Sequence, residues 1–121
     1  MGLVYLVDDN FDIVYSVSQW LQLRRYEVRS FSSSIPLFEG MELEMPDAIL
    51  LDINLNGEDG RDVCREIRKR HNHRVPVILF SAMYDTIKQV KDNCADDFMP
   101  KGASLTKLAD MLKEHIKIET E

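Results

Sequence analysis

Apolar runs and amphipathic stretches alternate along the whole chain. Residues 3–7 (LVYLV), 48–52 (AILLD) and 75–81 (VPVILFS) are nearly continuous apolar runs, the pattern of strands covered on both faces. Residues 26–31 (YEVRSF) mix apolar and charged positions and predict a more exposed strand, and 96–101 (DDFMPK) predict a brief last one. Between these runs apolar side chains recur at helical spacing. They are Phe11, Val14, Val17 and Leu21; Leu37, Phe38 and Met41; Val63, Cys64 and Ile67; Ile87 and Val90; and Leu105, Leu108, Ala109, Leu112 and Ile116. Capping residues stand where those helices must begin: Asn10 with Asp12 in the first turn, the serines before Pro36, Asp59, Asp85 and Ser104. Residues 56–60 (NGEDG) carry turn chemistry. A strand followed by a helix, five times over, implies an α/β domain with a doubly wound parallel sheet, right-handed crossovers and helices on both faces.

A length of 121 residues suits one domain over 1–121, with enough chain to bury a substantial core. Fifteen basic against 21 acidic residues leave a net charge of -6, which favours solubility and argues against direct binding to nucleic acid. The chain shows no signal peptide and no apolar run near the ~20 residues of a membrane span. A cytoplasmic location without membrane insertion is the expectation. The two cysteines, Cys64 and Cys94, are far apart and form no CxxC. No disulfide framework is expected, and a reducing compartment fits. His71 and His73 make an HxH, read here as solvated residues that close a helix rather than as a metal site.

The chemistry lies at the carboxyl ends of the predicted strands. The first runs into Asp8 and Asp9, the third ends on Asp52, the fourth on Ser81, and Lys101 follows the fifth. In open α/β sheets, sites form outside these strand ends, where the strand order switches. Taken singly, Asp8 and Asp9 read equally well as a helix cap, Asp52 and Ser81 as turn residues, and Lys101 as a surface lysine. Their shared position is the signal. Three crowded carboxylates must either shift their pKa values or hold a cation. Hard divalent ions prefer such oxygen ligands together with water and phosphate oxygens. One carboxylate can then act as a nucleophile toward a phosphoryl group, with a hydroxyl and a fixed ammonium to place its oxygens.

In these stretches, YLVDDN, AILLDINLNGEDGRDVCREIR, VPVILFSA and ADDFMPK, the chain resembles the receiver domain of two-component response regulators. The resemblance covers essentially its whole length. It implies a flavodoxin-like (βα)5 fold with strand order 2-1-3-4-5. It also implies that Asp52 is the phosphoacceptor and that Asp8 and Asp9 hold Mg2+ (or Mn2+), with Asp52 and the backbone carbonyl of Asn54 as further ligands. Ser81 would bond the phosphoryl group, Lys101 would pair with it, and Phe98 would be the aromatic of the switch. The implied partner is a sensor histidine kinase or a histidine phosphotransfer protein. The implied response is remodelling of the face made by the fourth helix, fifth strand and fifth helix. At most, the domain would phosphorylate itself from small donors and slowly lose the group to water. Met83, two residues beyond Ser81, is expected near the path of that water.

Some positions depart from the family pattern. Gly102 follows Lys101 where proline is usual, so no cis bond is expected there. Asn56 replaces a common proline and Cys94 a common glycine, and the segment from Ser81 to Lys101 is slightly short. Two rivals share part of the pattern. A haloacid-dehalogenase-type phosphatase needs a second aspartate two residues after its nucleophile, and that position is Asn54. A receiver-like interaction module that is never phosphorylated usually lacks one of the acids or the lysine, and here all are present.

Overall fold

The computed structural model describes residues 2–71, 74–81, 94–102 and 104–116. Five parallel strands form its sheet: β1 (Gly2–Val7), β2 (Tyr26–Phe31), β3 (Ala48–Asp52), β4 (Val77–Ser81) and β5 (Asp97–Pro100), in the order β2-β1-β3-β4-β5. This is the expected doubly wound order. The chain reverses its direction of winding between β1 and β3, so a crevice opens at their carboxyl ends.

Alternate residues of each strand face opposite ways, and each face has its own core layer. Tyr5, Val7, Leu51, Val77 and Leu79 pack with α2 (Ser34–Leu43) and α3 (Gly60–Arg70) through Leu37, Met41, Val63, Cys64 and Ile67. Val4, Leu6, Leu50, Ile78 and Phe80 pack with α1 (Phe11–Leu23) and the C-terminal helix (Leu105–His115) through Leu21, Leu108 and Leu112. The central strands β3 and β4 are buried along their whole length, whereas β2 at the edge is mostly half-buried or exposed, as its mixed sequence requires.

The helix starts follow the sequence. Asn10 accepts from the amides of Asp12 and Ile13, Asp59 from that of Arg61, and Ser104 from that of Thr106. The start of α2 is different. Ser33 makes no side-chain capping bond there. The Glu58 carboxylate, 24 residues away, instead accepts from the Ser34 amide at 3.0 Å and from its hydroxyl.

Glu58 can reach α2 because NGEDG is more than a turn. Asn54–Leu55 and Glu58–Asp59 pair as a small antiparallel hairpin, with Asn56 (φ 28°) and Gly57 (φ 92°) as its two loop residues. Both need positive φ in such a tight turn. Proline, fixed near −65°, could not occupy position 56, which explains its absence there.

Three expectations change. Phe11 is 77% exposed and stacks on Tyr15 outside the core; the inward stripe of α1 is Val14, Val17 and Leu21. The fold brings Cys64 and Cys94 together as a disulfide, with Cα atoms 6.2 Å apart. Sequence distance argued against pairing, but α3 and the entry to β5 lie side by side. His71 does follow α3, yet its Nε2 is buried rather than solvated and has no hydrogen-bond partner among the described residues. The expected fourth helix with Asp85, Ile87 and Val90, together with His73 and Met83, lies outside the described residues.

Candidate functional site

The carboxyl end of β1 delivers Asp8 and Asp9 to the crevice, and those of β3, β4 and β5 deliver Asp52, Ser81 and Lys101. The Asp8 amide donates to the Phe31 carbonyl at 3.0 Å, the Ile53 amide to Phe80 at 3.1 Å and the Lys101 amide to Ser81 at 3.0 Å. These bonds extend the sheet pairing just past the functional residues and fix where each chain leaves it. Gly60, the first residue of α3, closes the arrangement from one side. Its amide donates to the Ile53 carbonyl at 2.6 Å. A Cβ at position 60 would come within 2.1 Å of the Asp52 carbonyl oxygen, so only glycine lets α3 start against the acid's own backbone.

Asp8 and Asp52 are held in the same way. Oδ1 of Asp8 accepts from the Asn10 amide at 2.9 Å, and Oδ1 of Asp52 from the Asn54 amide at 3.1 Å. Each is a local Asx turn two residues long. That leaves both Oδ2 atoms pointing at one cation: Lys101 Nζ lies 3.0 Å from each. The ammonium also sits 5.3 Å from the ring centre of Phe80, within cation–π range. Asp8, Asp52 and Ser81 are buried, whereas Asp9 is exposed at the mouth. Asp9, Asn10, Asp52, Asn54, Asn56, Gly57, Ser81 and Lys101 line a cleft of about 360 Å³.

The charges do not balance. Burial, the largest influence, pushes the Asp52 carboxyl above its ordinary pKa, and the charge of Asp8 adds to this. The hydrogen bonds from Lys101 and Asn54 pull the other way without cancelling it. For Lys101, burial alone favours the neutral amine. The hydrogen bond to Asp52 and the negative charges of Asp52 and Asp8 together outweigh it and raise the pKa. The lysine therefore stays charged while Asp52 remains under-compensated.

A divalent cation fits this donor set. One carboxylate oxygen from each of Asp8, Asp9 and Asp52 lies within 4.8 Å of the others. Asp8 Oδ2 is buried with no aligned hydrogen bond, despite the nearby ammonium. Three carboxylates facing one lysine retain negative charge, and oxygen-only donors suit a hard ion such as Mg2+.

The structure brings together Asp8, Asp9, Asp52, Asn54, Ser81 and Lys101. It sets Phe98 apart: its side chain does not line the cleft but packs against the core layer that contains Cys64 and Cys94. Sequence reading gave no functional weight to Asn10 beyond its cap, nor to Gly60, Asn56 and Gly57. The Asn-Gly pair was the available signal, since it marks a two-residue hairpin. No local signal marks Gly60, because the atom it makes room for is on another segment.

The family model of the response regulator receiver domain matches residues 4–113, and the chain belongs to that family: it is a receiver domain of the two-component response regulator type. Solved structures agree on the fold. The BeF3-activated N-terminal receiver domain of Klebsiella pneumoniae RstA is 24% identical, with a TM-score of 0.84 over 96% of this chain and 99% of that one. The Thermotoga maritima response regulator TrrA, in complex with Mg2+-BeF, is 24% identical, with a TM-score of 0.85 over 94% and 98%. NtrX from Brucella abortus is 25% identical, with a TM-score of 0.85, and this chain spans 95% of its own length but 26% of that longer protein. Among the described residues no helix is long and apolar enough to cross a membrane.

Proposed function

We propose that this domain, spanning 1–121, receives a phosphoryl group on Asp52 from a sensor histidine kinase or a histidine phosphotransfer protein. The observation that carries the reading is the single ammonium of Lys101 shared at 3.0 Å by Asp52 and Asp8. It lies within a polar cleft that is also lined by Asp9, Asn54 and Ser81. Two relatives of the same fold bear phosphoryl-like fluoride complexes, BeF3 in one and Mg2+-BeF in the other, which supports the same use of this cleft.

The chemistry is an in-line displacement. An oxygen of Asp52 forms a P–O bond as the P–N bond of the donor phosphohistidine breaks, and the imidazole leaves with the electron pair. Asp8, Asp9 and Asp52, with the Asn54 carbonyl, would hold Mg2+ or Mn2+, which when bound offsets negative charge on the transferred group. Lys101 keeps its positive charge and pairs with a phosphoryl oxygen. The Asn54 amide fixes the Asp52 carboxylate, and the Ser81 hydroxyl donates to the new phosphate. Phosphorylation adds charge and acceptor oxygens beside Ser81. Ser81 pairs directly with Pro100 in the register that sets Phe98 opposite Leu79, so a shift at Ser81 is passed to β5 and Phe98. The population then moves toward a second packing of the face around β5 and the C-terminal helix. Self-phosphorylation from small donors, slow hydrolysis with Met83 near the water, a cytoplasmic setting and an output with no direct nucleic-acid contact complete the reading.

The test is incubation with acetyl phosphate and Mg2+, read by intact mass. The native chain should gain one phosphoryl group and Asp52→Asn none. No gain under conditions that load a control receiver would favour the unphosphorylated interaction module. A gain that persists in Asp52→Asn would move the acceptor elsewhere.

A further inference from the structure

The Cys64–Cys94 pair joins two segments 30 residues apart in sequence. Cys64 lies in α3, and Cys94 lies three residues before β5 begins. Both are buried in the core layer of Val77 and Leu79, and Phe98 packs against that same layer. The bond therefore fastens the entry to the edge strand onto α3, beside the aromatic that the switch would move.

Cys94 has a second tether to the same helix. Arg68, one turn after Cys64, donates from Nε and Nη2 to the Cys94 carbonyl at 3.0 and 2.7 Å. It also donates to the Val75 carbonyl and to Asp96. This backbone anchor does not depend on sulfur chemistry. When the S–S bond opens, the Arg68 bonds to the Cys94 carbonyl keep that backbone close enough to α3 for the thiols to meet again, while the covalent limit on local opening of β5 is lost. The arrangement favours a bond that can open and re-form in the folded chain.

We propose that Cys64 and Cys94 are a reversible thiol–disulfide modification site that controls how freely β5 and Phe98 move. The oxidant is a low-molecular-weight disulfide of the glutathione class. The Cys94 thiolate attacks one of its sulfurs, forms a mixed disulfide and releases one small thiol. The Cys64 thiolate then attacks the Cys94 sulfur, forming the internal bond and releasing the second small thiol. Two electrons pass to the small disulfide, and the two protons lost by the cysteines appear on the released thiols. Cys94 attacks first because it retains 8% exposure while Cys64 has none. Only the link to signalling rests on the phosphoacceptor reading.

The full chain should be equilibrated with reduced and oxidised glutathione at graded ratios, alkylated and weighed intact. Both thiols are expected to disappear together in one transition. Cys64→Ser should trap one glutathione on Cys94, and Cys94→Ser should trap none. Thiols that alkylate at every ratio, or a bond that survives the most reducing ratio in the native chain, would overturn the proposal. Amide hydrogen exchange gives a readout independent of phosphorylation. Protection at Asp97, Phe98 and Met99 should fall at least tenfold on reduction, and unchanged protection would overturn the control of β5. Acetyl phosphate should load the reduced chain several-fold faster than the oxidised one, with a Cys64→Ala/Cys94→Ala variant matching the reduced chain; equal rates would overturn the link to signalling. If no form of the chain is loaded, the phosphoacceptor reading and that link fall together, and the exchange result alone decides whether the pair controls β5.

Discussion

Two charged triads stand at opposite ends of the same sheet, built in opposite proportions. At the carboxyl ends, Asp8 and Asp52 share one cation, Lys101, at 3.0 Å each. At the amino ends, Arg68 and Arg74 share one acid, Asp96, at 2.9 and 3.0 Å. Burial alone would raise the pKa of either aspartate. For Asp96 the Val77 amide and the two arginines more than reverse it, and its carboxyl falls below the ordinary value. For Asp52 the lone lysine and the Asn54 amide do not, and the carboxyl rises. The spare donors of Arg68 are also used, on the carbonyls of Cys94 and Val75. One triad is therefore sealed, and the other is left needing positive charge. The difference separates a structural clasp from a reactive site more clearly than residue type does.

The comparison predicts opposite responses to mutation. Arg68→Ala should lower stability by about 2 kcal/mol, because it removes the donors to the Val75 carbonyl, the two short bonds to the Cys94 carbonyl and one of the two arginines on the half-buried Asp96, leaving Arg74 to hold the acid. Urea denaturation would measure this, and a loss below about 1 kcal/mol would mean that Arg74 alone suffices. Asp52→Asn should instead stabilise the chain, by about 1 kcal/mol at neutral pH, since it removes a buried charge that is not fully offset. A loss of stability in Asp52→Asn would show that the site carries no such cost.

A smaller effect lies in pH dependence. The raised carboxyl of Asp52 binds more protons in the folded than in the unfolded state, so its contribution to stability falls as pH rises from the ordinary carboxylate value, about 4, through the folded value. The advantage of Asp52→Asn should accordingly shrink in acid. Asp96 has the reverse sign: its contribution is present above about pH 4 and is lost as pH falls through its lowered folded value. Asp96→Asn should flatten the acid limb of the stability profile by about 1 kcal/mol. Parallel profiles for native chain and both variants would erase the contrast between the triads.

The strands, the caps at Asn10, Asp59 and Ser104, and the site acids were legible because each depends on neighbours in sequence or on burial of a whole strand. Asp8 and Asp52 could be placed together once the alternation implied a parallel sheet, since the fold rule then sends strand ends to one edge. What escaped depends on contacts between distant segments. The pairing of Cys64 with Cys94, the clasp of Arg68 on Asp96 and the capping of α2 by Glu58 have no local signature. Phe11 was misread for a different reason. Helical spacing gives the angle around the axis but not where the neighbouring surface ends, and Phe11 lies at the first turn of α1, beyond the cover of the core.

The Asx turns of Asp8 and Asp52 also bear on what the site needs to come together. Each acid is oriented by an amide only two residues away, so its aim needs little beyond its own strand end. Lys101 reaches Asp52 from 49 residues further along the chain, and it arrives only when the last strand has docked. The aim of the acids is thus a local property, and their neutralisation depends on the whole sheet. Chemical competence at this edge serves as a signature of a finished sheet.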